Sequence, residues 1–232
     1  MYHIFRKKSL VVLFLIFVVT TAVKAQDPRW SNLPTYDKRV LHYGFTLGLG
    51  TSGYRARLSQ TFVDTDSVKF VRPKFASAFT LGFVVNLRLH EYFDLRLLPT
   101  VGFYERSIDY QFTNTLVKQS IESTFLEFPL LVKYKSQRRA NARMYLVGGF
   151  KFSIEAGSKK KEKKKTDLRT QNADFSIDYG VGFDFYMPLF KFSPELRLSH
   201  GFVNMLNNDP NIYSQSISKL TTHTLTLYLH FE

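Results

Sequence analysis

The stretch TTHTLTLYLHFE (221–232) decides the fold. Leu225, Leu227, Leu229 and Phe231 alternate with Thr222, Thr224, Thr226, Tyr228 and His230. A period of two puts one set on each face of a β-strand. Working back along the chain, the same alternation recurs. Phe175, Ile177, Tyr179, Val181, Phe183 and Phe185 oppose Asp174, Ser176, Asp178, Gly180, Gly182 and Asp184; Phe79, Leu81, Phe83, Val85 and Leu87 oppose Thr80, Gly82, Asn86 and Arg88. Eight such segments are expected, at 41–50, 77–89, 92–105 (extending towards 112), 121–135, 143–156, 174–187, 191–204 and 221–231. No helical period runs for any useful length.

One face of these strands is Phe and Leu without charge; the other carries Gly44, Gly48, Gly82, Gly102, Gly149, Gly180 and Gly182 among polar residues. An Arg or Lys on a lipid-facing wall costs roughly 2–4 kcal/mol at the midplane, so an uncharged outer face is required there. Small residues suit the narrow inside of an eight-strand barrel, where bulky ones are not expected to fit. Connections alternate short (90–91, 136–142, 188–190) and long (51–76, 106–120, 157–173, 205–220), the pattern of short inner turns and long outer loops. The fold class is therefore all-β, an eight-stranded antiparallel transmembrane β-barrel of the outer membrane. A soluble, lipocalin-like barrel with the faces reversed is the alternative. Mean hydropathy is −0.15, which excludes a polytopic helical membrane protein but not a barrel whose strands are half apolar. Aromatics near the short-turn end (Tyr92, Phe93, Tyr134, Tyr145, Tyr186, Phe190, Tyr228), with Phe231 by the C-terminus, are expected to form an interfacial girdle.

Residues 1–25 read as a secretory signal peptide. Arg6, Lys7 and Lys8 precede the apolar run Leu10–Val19, and Val23-Lys24-Ala25 fits a cleavage site between Ala25 and Gln26. The expected organisation is leader 1–25, periplasmic lead-in 26–40 and barrel 41–232. Export places the protein in the outer membrane of a Gram-negative bacterium, with outer-membrane lipid and lipopolysaccharide as surroundings and no nucleic-acid partner. The net charge of +13 supports this. The leader holds four basic residues and no acid, leaving +9, and the run Lys159-Lys160-Lys161-Glu162-Lys163-Lys164-Lys165 supplies +5 of that. The remainder is only mildly basic, so there is no broad polyanion-binding face.

The inward set comprises Arg88, Arg96, Lys133, Lys135, Lys151 and Arg197 with Asp94, Glu127, Glu155, Asp178, Asp184 and Glu195. In a lumen one side-chain layer wide these are expected to pair and fill it; the other reading is a charged permeation path. The lysines 159–161 and 163–165 read as a solvated loop, or else as a contact for lipopolysaccharide phosphates or an acidic partner. The lead-in QDPRWSNLPTYDKRV (26–40) reads as a linker, or as a contact segment anchored by Trp30, Leu33 and Tyr36.

Signals for catalysis are weak. The chain has no cysteine, which removes thiol chemistry, disulfides and thiolate metal sites. The six histidines form no close ligand pair, so no metal and no cofactor are expected. Ser199 and His200 are adjacent on a strand and point to opposite sides.

Several stretches resemble the PorT family, outer-membrane barrels associated with the type IX secretion system. They are NLPTYDKRVLHYGFTLG (32–48), NLRLHEYFDLRLLPTVGF (86–103), IESTFLEFPLLVKYKS (121–136), GGFKFSIE (148–155) and DYGVGFDFYMPLFKFSPELRLSHGF (178–202). The resemblance implies a non-enzymatic role in exporting cargo across the outer membrane, with other secretion components as partners, and implies no catalytic residues. The other function classes are a surface barrel for adhesion or ligand binding through its long loops, and an outer-membrane lipid-modifying enzyme.

Overall fold

In the computed structural model, residues 31–59, 68–112, 116–156, 172–206 and 217–232 are described. The leader 1–25 with its Ala25–Gln26 junction, Trp30 and the lysine run 159–165 lie outside them. The unit Asn32–Glu232 is the barrel. Among the described residues no helix is long and apolar enough to cross a membrane.

Among the described residues, nine strand segments make eight staves: β1 (Leu41–Leu58), β2 (Val68–Arg88), β3 (Phe93–Leu97) with β4 (Thr100–Phe112), β5 (Leu116–Lys135), β6 (Ala142–Glu155), β7 (Ala173–Tyr186), β8 (Lys191–Gly201) and β9 (Ile217–Phe231). β3 and β4 are one stave interrupted at Leu98–Pro99, where proline lacks the ladder donor. The wall stays bonded across the gap, Leu98 N to Pro129 O at 3.1 Å and Phe83 N to Pro99 O at 3.0 Å. Each stave pairs antiparallel with the next, and β1 pairs with both β2 and β9. The ring is therefore closed, which removes the unpaired edge that lipid does not tolerate.

The side-chain parity is the one alternation requires. Phe83, Phe150, Leu130 and Leu227 stand exposed on the outer wall, while Thr46, Thr80, Arg96, Glu195 and His230 are buried inside. A lipocalin-like barrel would have the opposite arrangement. The short turns are tight: Leu89 N and His90 N both donate to Phe93 O, and Met187 N donates to Phe190 O at 2.9 Å.

Three expectations need correction. First, the long connections expected at 51–76 and 106–120 are mostly strand: β1 runs on to Leu58, β2 starts at Val68, β4 runs to Phe112 and β5 starts at Leu116. A membrane crossing takes about 9–11 residues, and β2 has 21. Past the bilayer the outer face no longer has to be apolar, so Arg55, Arg57, Arg72 and Lys74 interrupt the hydropathy pattern while backbone pairing continues. Second, Tyr145, Tyr186 and Tyr228 are not in the girdle; all three are buried in the lumen. Phe93, Tyr134 and Phe190 do face outward, and Phe45 stacks on Phe231 at 4.8 Å. Third, bulky rings do fit inside. Tyr145 lies over Gly182, its register partner, where a β-carbon would overlap the ring.

Candidate functional site: the filled lumen and its periplasmic strap

Parity on neighbouring strands delivers charges of both signs to the barrel axis. Lys133 on β5 reaches both oxygens of Asp184 on β7 at 2.8 Å. Arg143 Nε on β6 and Ser193 Oγ on β8 both donate to the same carboxylate, at 2.9 and 2.7 Å. Arg96 on β3 crosses to Glu195 on β8 at 3.1 Å, donates to Glu232 at 3.0 Å and to Asn86 at 3.3 Å. Glu195 also receives Tyr145 OH at 3.0 Å, Arg197 Nε at 2.7 Å and faces His230 at 3.3 Å. Lys135 pairs with Asp94, which also accepts from Asn86 at 3.0 Å. Further out, Lys151 lies 3.3 Å from Glu127, which accepts from Tyr104 OH at 2.7 Å. Arg197 faces Asp178 at 3.8 Å, too far for a hydrogen bond.

Arg96, Lys133, Asp184 and Glu195 have 0 % side-chain exposure. A water-filled channel would wet them, so the cross-section is closed at this level. Burying single charges is costly, and pairing with extra hydrogen bonds is what makes it tolerable. An apolar layer of Val84, Leu98, Leu131 and Val147 packs around Tyr145. Nearer the outer end, Arg106 donates to Ser52 at 2.9 Å and its guanidinium lies 4.8 Å from the Tyr104 ring and 5.3 Å from those of Tyr54 and Phe125. Met205, fully buried, packs on Ala78, Tyr104 and Phe125 beyond β8.

The short-turn mouth of the barrel is crossed by residues 32–38. A left-handed residue at Leu33 (φ 49°) feeds the short 3-10 turn Tyr36–Lys38. Tyr36 stacks on His42 at 4.1 Å, and its hydroxyl donates to Glu232 at 3.2 Å. Lys191 holds the same carboxylate at 2.9 Å. Asp37 meets Arg143 at 3.0 Å and Arg138 at 3.5 Å, and accepts from Tyr186 OH at 3.0 Å. Asn32 bonds Asn141 and the Tyr186 carbonyl oxygen at 2.8 and 2.9 Å. Burial would raise the Asp37 carboxyl, but Arg143, the Tyr186 hydroxyl and Arg138 outweigh it and hold it below the usual aspartate range.

The inward residues read from the sequence fall into bonded groups (Arg96 with Glu195 and Arg197, and through Asn86 with Asp94 and Lys135; Lys133 with Asp184; Lys151 with Glu127; Asp178 with Ser199), with two exceptions. Arg88 lies at the mouth, donating to the Asp37 carbonyl oxygen, and Glu155 sits half-buried at the outer end of β6. Tyr36 is used by the barrel's own mouth. Sequence reading missed Glu232, Arg143, Lys191, Tyr145 and Arg106. Arg143 and Tyr145 share the parity of Lys151 and were legible from it; Glu232 follows the last strand, where alternation no longer assigns a face.

The parts of a hydrolytic triad are separated by the wall. Ser199 points inward to Asp178, whereas His200 points outward to Tyr179 and His223. Among the described residues no His, Asp and Glu group is placed to hold a metal ion.

Residues 24–207 match the family described as outer membrane protein beta-barrel domain. No curated protein matches the chain. Among solved structures, the chain is similar to the outer membrane protein OprG from Pseudomonas aeruginosa at 12 % identity and TM-score 0.48, covering 81 % of this chain and 94 % of that one. It is also similar to Neisserial surface protein A at 11 % identity and TM-score 0.39, covering 83 % and 98 %. The closed ring with its apolar outer wall, together with the family match, places the protein in the outer membrane of a Gram-negative cell.

Proposed function

We propose that this chain, which belongs to the outer membrane protein beta-barrel domain family, supports protein secretion through the type IX system as a non-enzymatic component that works by contact. The observation that carries the mode of action is the Arg96–Glu195 pair bridging the lumen at 3.1 Å with both partners fully buried. A lumen closed at this width has no room for a polypeptide, so the barrel acts by holding or gating other secretion components. The surfaces available for that are the strapped periplasmic mouth, the outer hairpins and the wall. The secretion assignment rests on the resemblance of 32–48, 86–103, 121–136 and 178–202 to the PorT family. The separation of Ser199 from His200 by the wall supports a non-enzymatic reading.

Deletion of the gene tests it. Cargo proteins accumulate in the periplasm of the deletion strain, and affinity purification of the tagged barrel recovers other secretion components. Normal export in the deletion strain refutes the assignment. A second reading, adhesion or ligand binding at the cell surface, is favoured by the length of β2 and β5, 21 and 20 residues, which carries their hairpins beyond the bilayer. Ligand binding mapped to those hairpins with secretion intact would select it.

A further inference from the structure

The outer ends of β1 and β9 turn three cations onto the wall. Arg57 and Lys219 are register partners, and Arg55 is partnered by Thr221. With Phe202, His200 and His223 they line a groove of about 440 Å³. The groove floor is fixed by a hydrogen-bonded chain, Tyr179 OH to His200 and His200 to His223. Like charges facing each other across strands destabilise a sheet. Among the described residues no carboxylate pairs with any of the three cations.

Their height follows from the register. Phe45 and Phe231 are paired and stacked near the short-turn end of the outer wall, which is taken as the level of the inner interface. Arg55 lies ten residues beyond Phe45, and Thr221 ten before Phe231. At about 3.3 Å per residue and a tilt of about 40°, ten residues rise about 25 Å, the height of the apolar band of such barrels. Arg55, Arg57 and Lys219 therefore stand at the outer headgroup level, directly above the apolar wall of Leu49, Leu198 and Leu225. The level is not uniformly basic: β4 and β5 turn Glu105 and Glu122 outward as register partners. Guanidinium groups match phosphate oxygens bidentately, and a lysine adds a point charge. Acyl chains beneath the headgroup would lie on the leucines.

We propose that Arg55, Arg57 and Lys219 seat the phosphorylated glucosamine headgroup of a lipopolysaccharide molecule of the outer leaflet against the β1–β9 wall. The seat is independent of the secretion reading, which cargo export tests separately.

Native mass spectrometry of the full-length protein released from detergent tests it, with three probes: bisphosphorylated lipid A, the same lipid with its phosphates removed, and inorganic pyrophosphate. The wild type retains lipid A and not the dephosphorylated form, and pyrophosphate at equal concentration does not displace it. The triple variant Arg55→Gln/Arg57→Gln/Lys219→Gln keeps the heat-modifiable gel mobility of a folded barrel and binds lipid A roughly a hundredfold more weakly, each cation near an anionic surface being worth about a fivefold factor. Glu122→Gln on the opposite wall leaves binding unchanged. If the triple variant does not fold, Lys219→Gln alone is read and binds several-fold more weakly. Equal retention by the cation variants, equal retention of the dephosphorylated lipid, or displacement by pyrophosphate overturns the proposal.

Discussion

Arg96 and Glu195 stand on staves four places apart in a ring of eight, the greatest separation the ring allows, yet their side chains meet at 3.1 Å. A bond across the full width means that the lumen is only two side chains wide there. Glu195 is shared with Arg197 and Tyr145, and Arg96 with Asn86 and Glu232. The plug is thus one hydrogen-bonded body tied to β2, β3, β6, β8 and the chain end.

Removing one member leaves the others charged and buried. Glu195→Gln is expected to destabilise the barrel by about 3–5 kcal/mol, because Arg96 and Arg197 lose their common carboxylate. Replacing Arg96, Glu195 and Arg197 together by Met, Leu and Met costs clearly less than the single change. Urea unfolding in lipid vesicles, followed by gel mobility, measures both. Additive losses would show that the three act separately.

The Tyr145–Gly182 contact makes a packing prediction. Gly182→Val drives a side chain into the ring and displaces the hydroxyl from Glu195. A loss of about 1–3 kcal/mol is expected from overpacking. Combining it with Tyr145→Ala removes the clash, so the double variant is more stable than the sum of the single changes predicts. A double-mutant cycle with no coupling would contradict the contact.

Leu227 on β9 is paired with Leu49 and Leu196 at the middle of the outer wall. Leu227→Arg should cost roughly 2–4 kcal/mol in a bilayer. Thr226→Val, one residue before and facing inward, exchanges like-sized groups and should cost less. The opposite ranking in vesicle unfolding would reverse the assignment of faces.

The strap responds to acid. Asp37 has its carboxyl held below the usual aspartate range by Arg143, Tyr186 and Arg138. A depressed folded value means that its contribution is complete above about pH 4 and fades as pH falls through the folded value. The chain has no cysteine, so a spin label at Thr35→Cys reports the strap alone. The label should be immobilised at pH 7 and mobile in strong acid, and Asp37→Asn should be mobile at both. A label equally mobile at pH 7 in both proteins would contradict strap docking.

Alternation made the barrel legible because lipid enforces it: β7 reads to within a residue of its observed ends, and β9 reads from 221 although the strand begins at Ile217. The signal stops where lipid stops, which is why the outer ends of β1, β2 and β5 read as loops. Parity alone also assigned most of the lumen charges. Position near the short-turn end points Tyr145, Tyr186 and Tyr228 to the girdle; Tyr145 and Tyr228 fit inside because their register partners Gly182 and Gly48 lack a β-carbon, a pairing invisible along one strand. The strap was illegible for a related reason. Its bonds from Asn32 to Asn141 and from Tyr36 to Glu232 span more than a hundred residues, and no local pattern encodes them.

Planar-bilayer recording of the purified full-length protein tests the closed lumen most directly. The Arg96–Glu195 bridge and the buried charges around it predict no stable conducting state. Long-lived, wide-pore conductance steps from the isolated protein would contradict the plug and with it the claim that the barrel acts by contact.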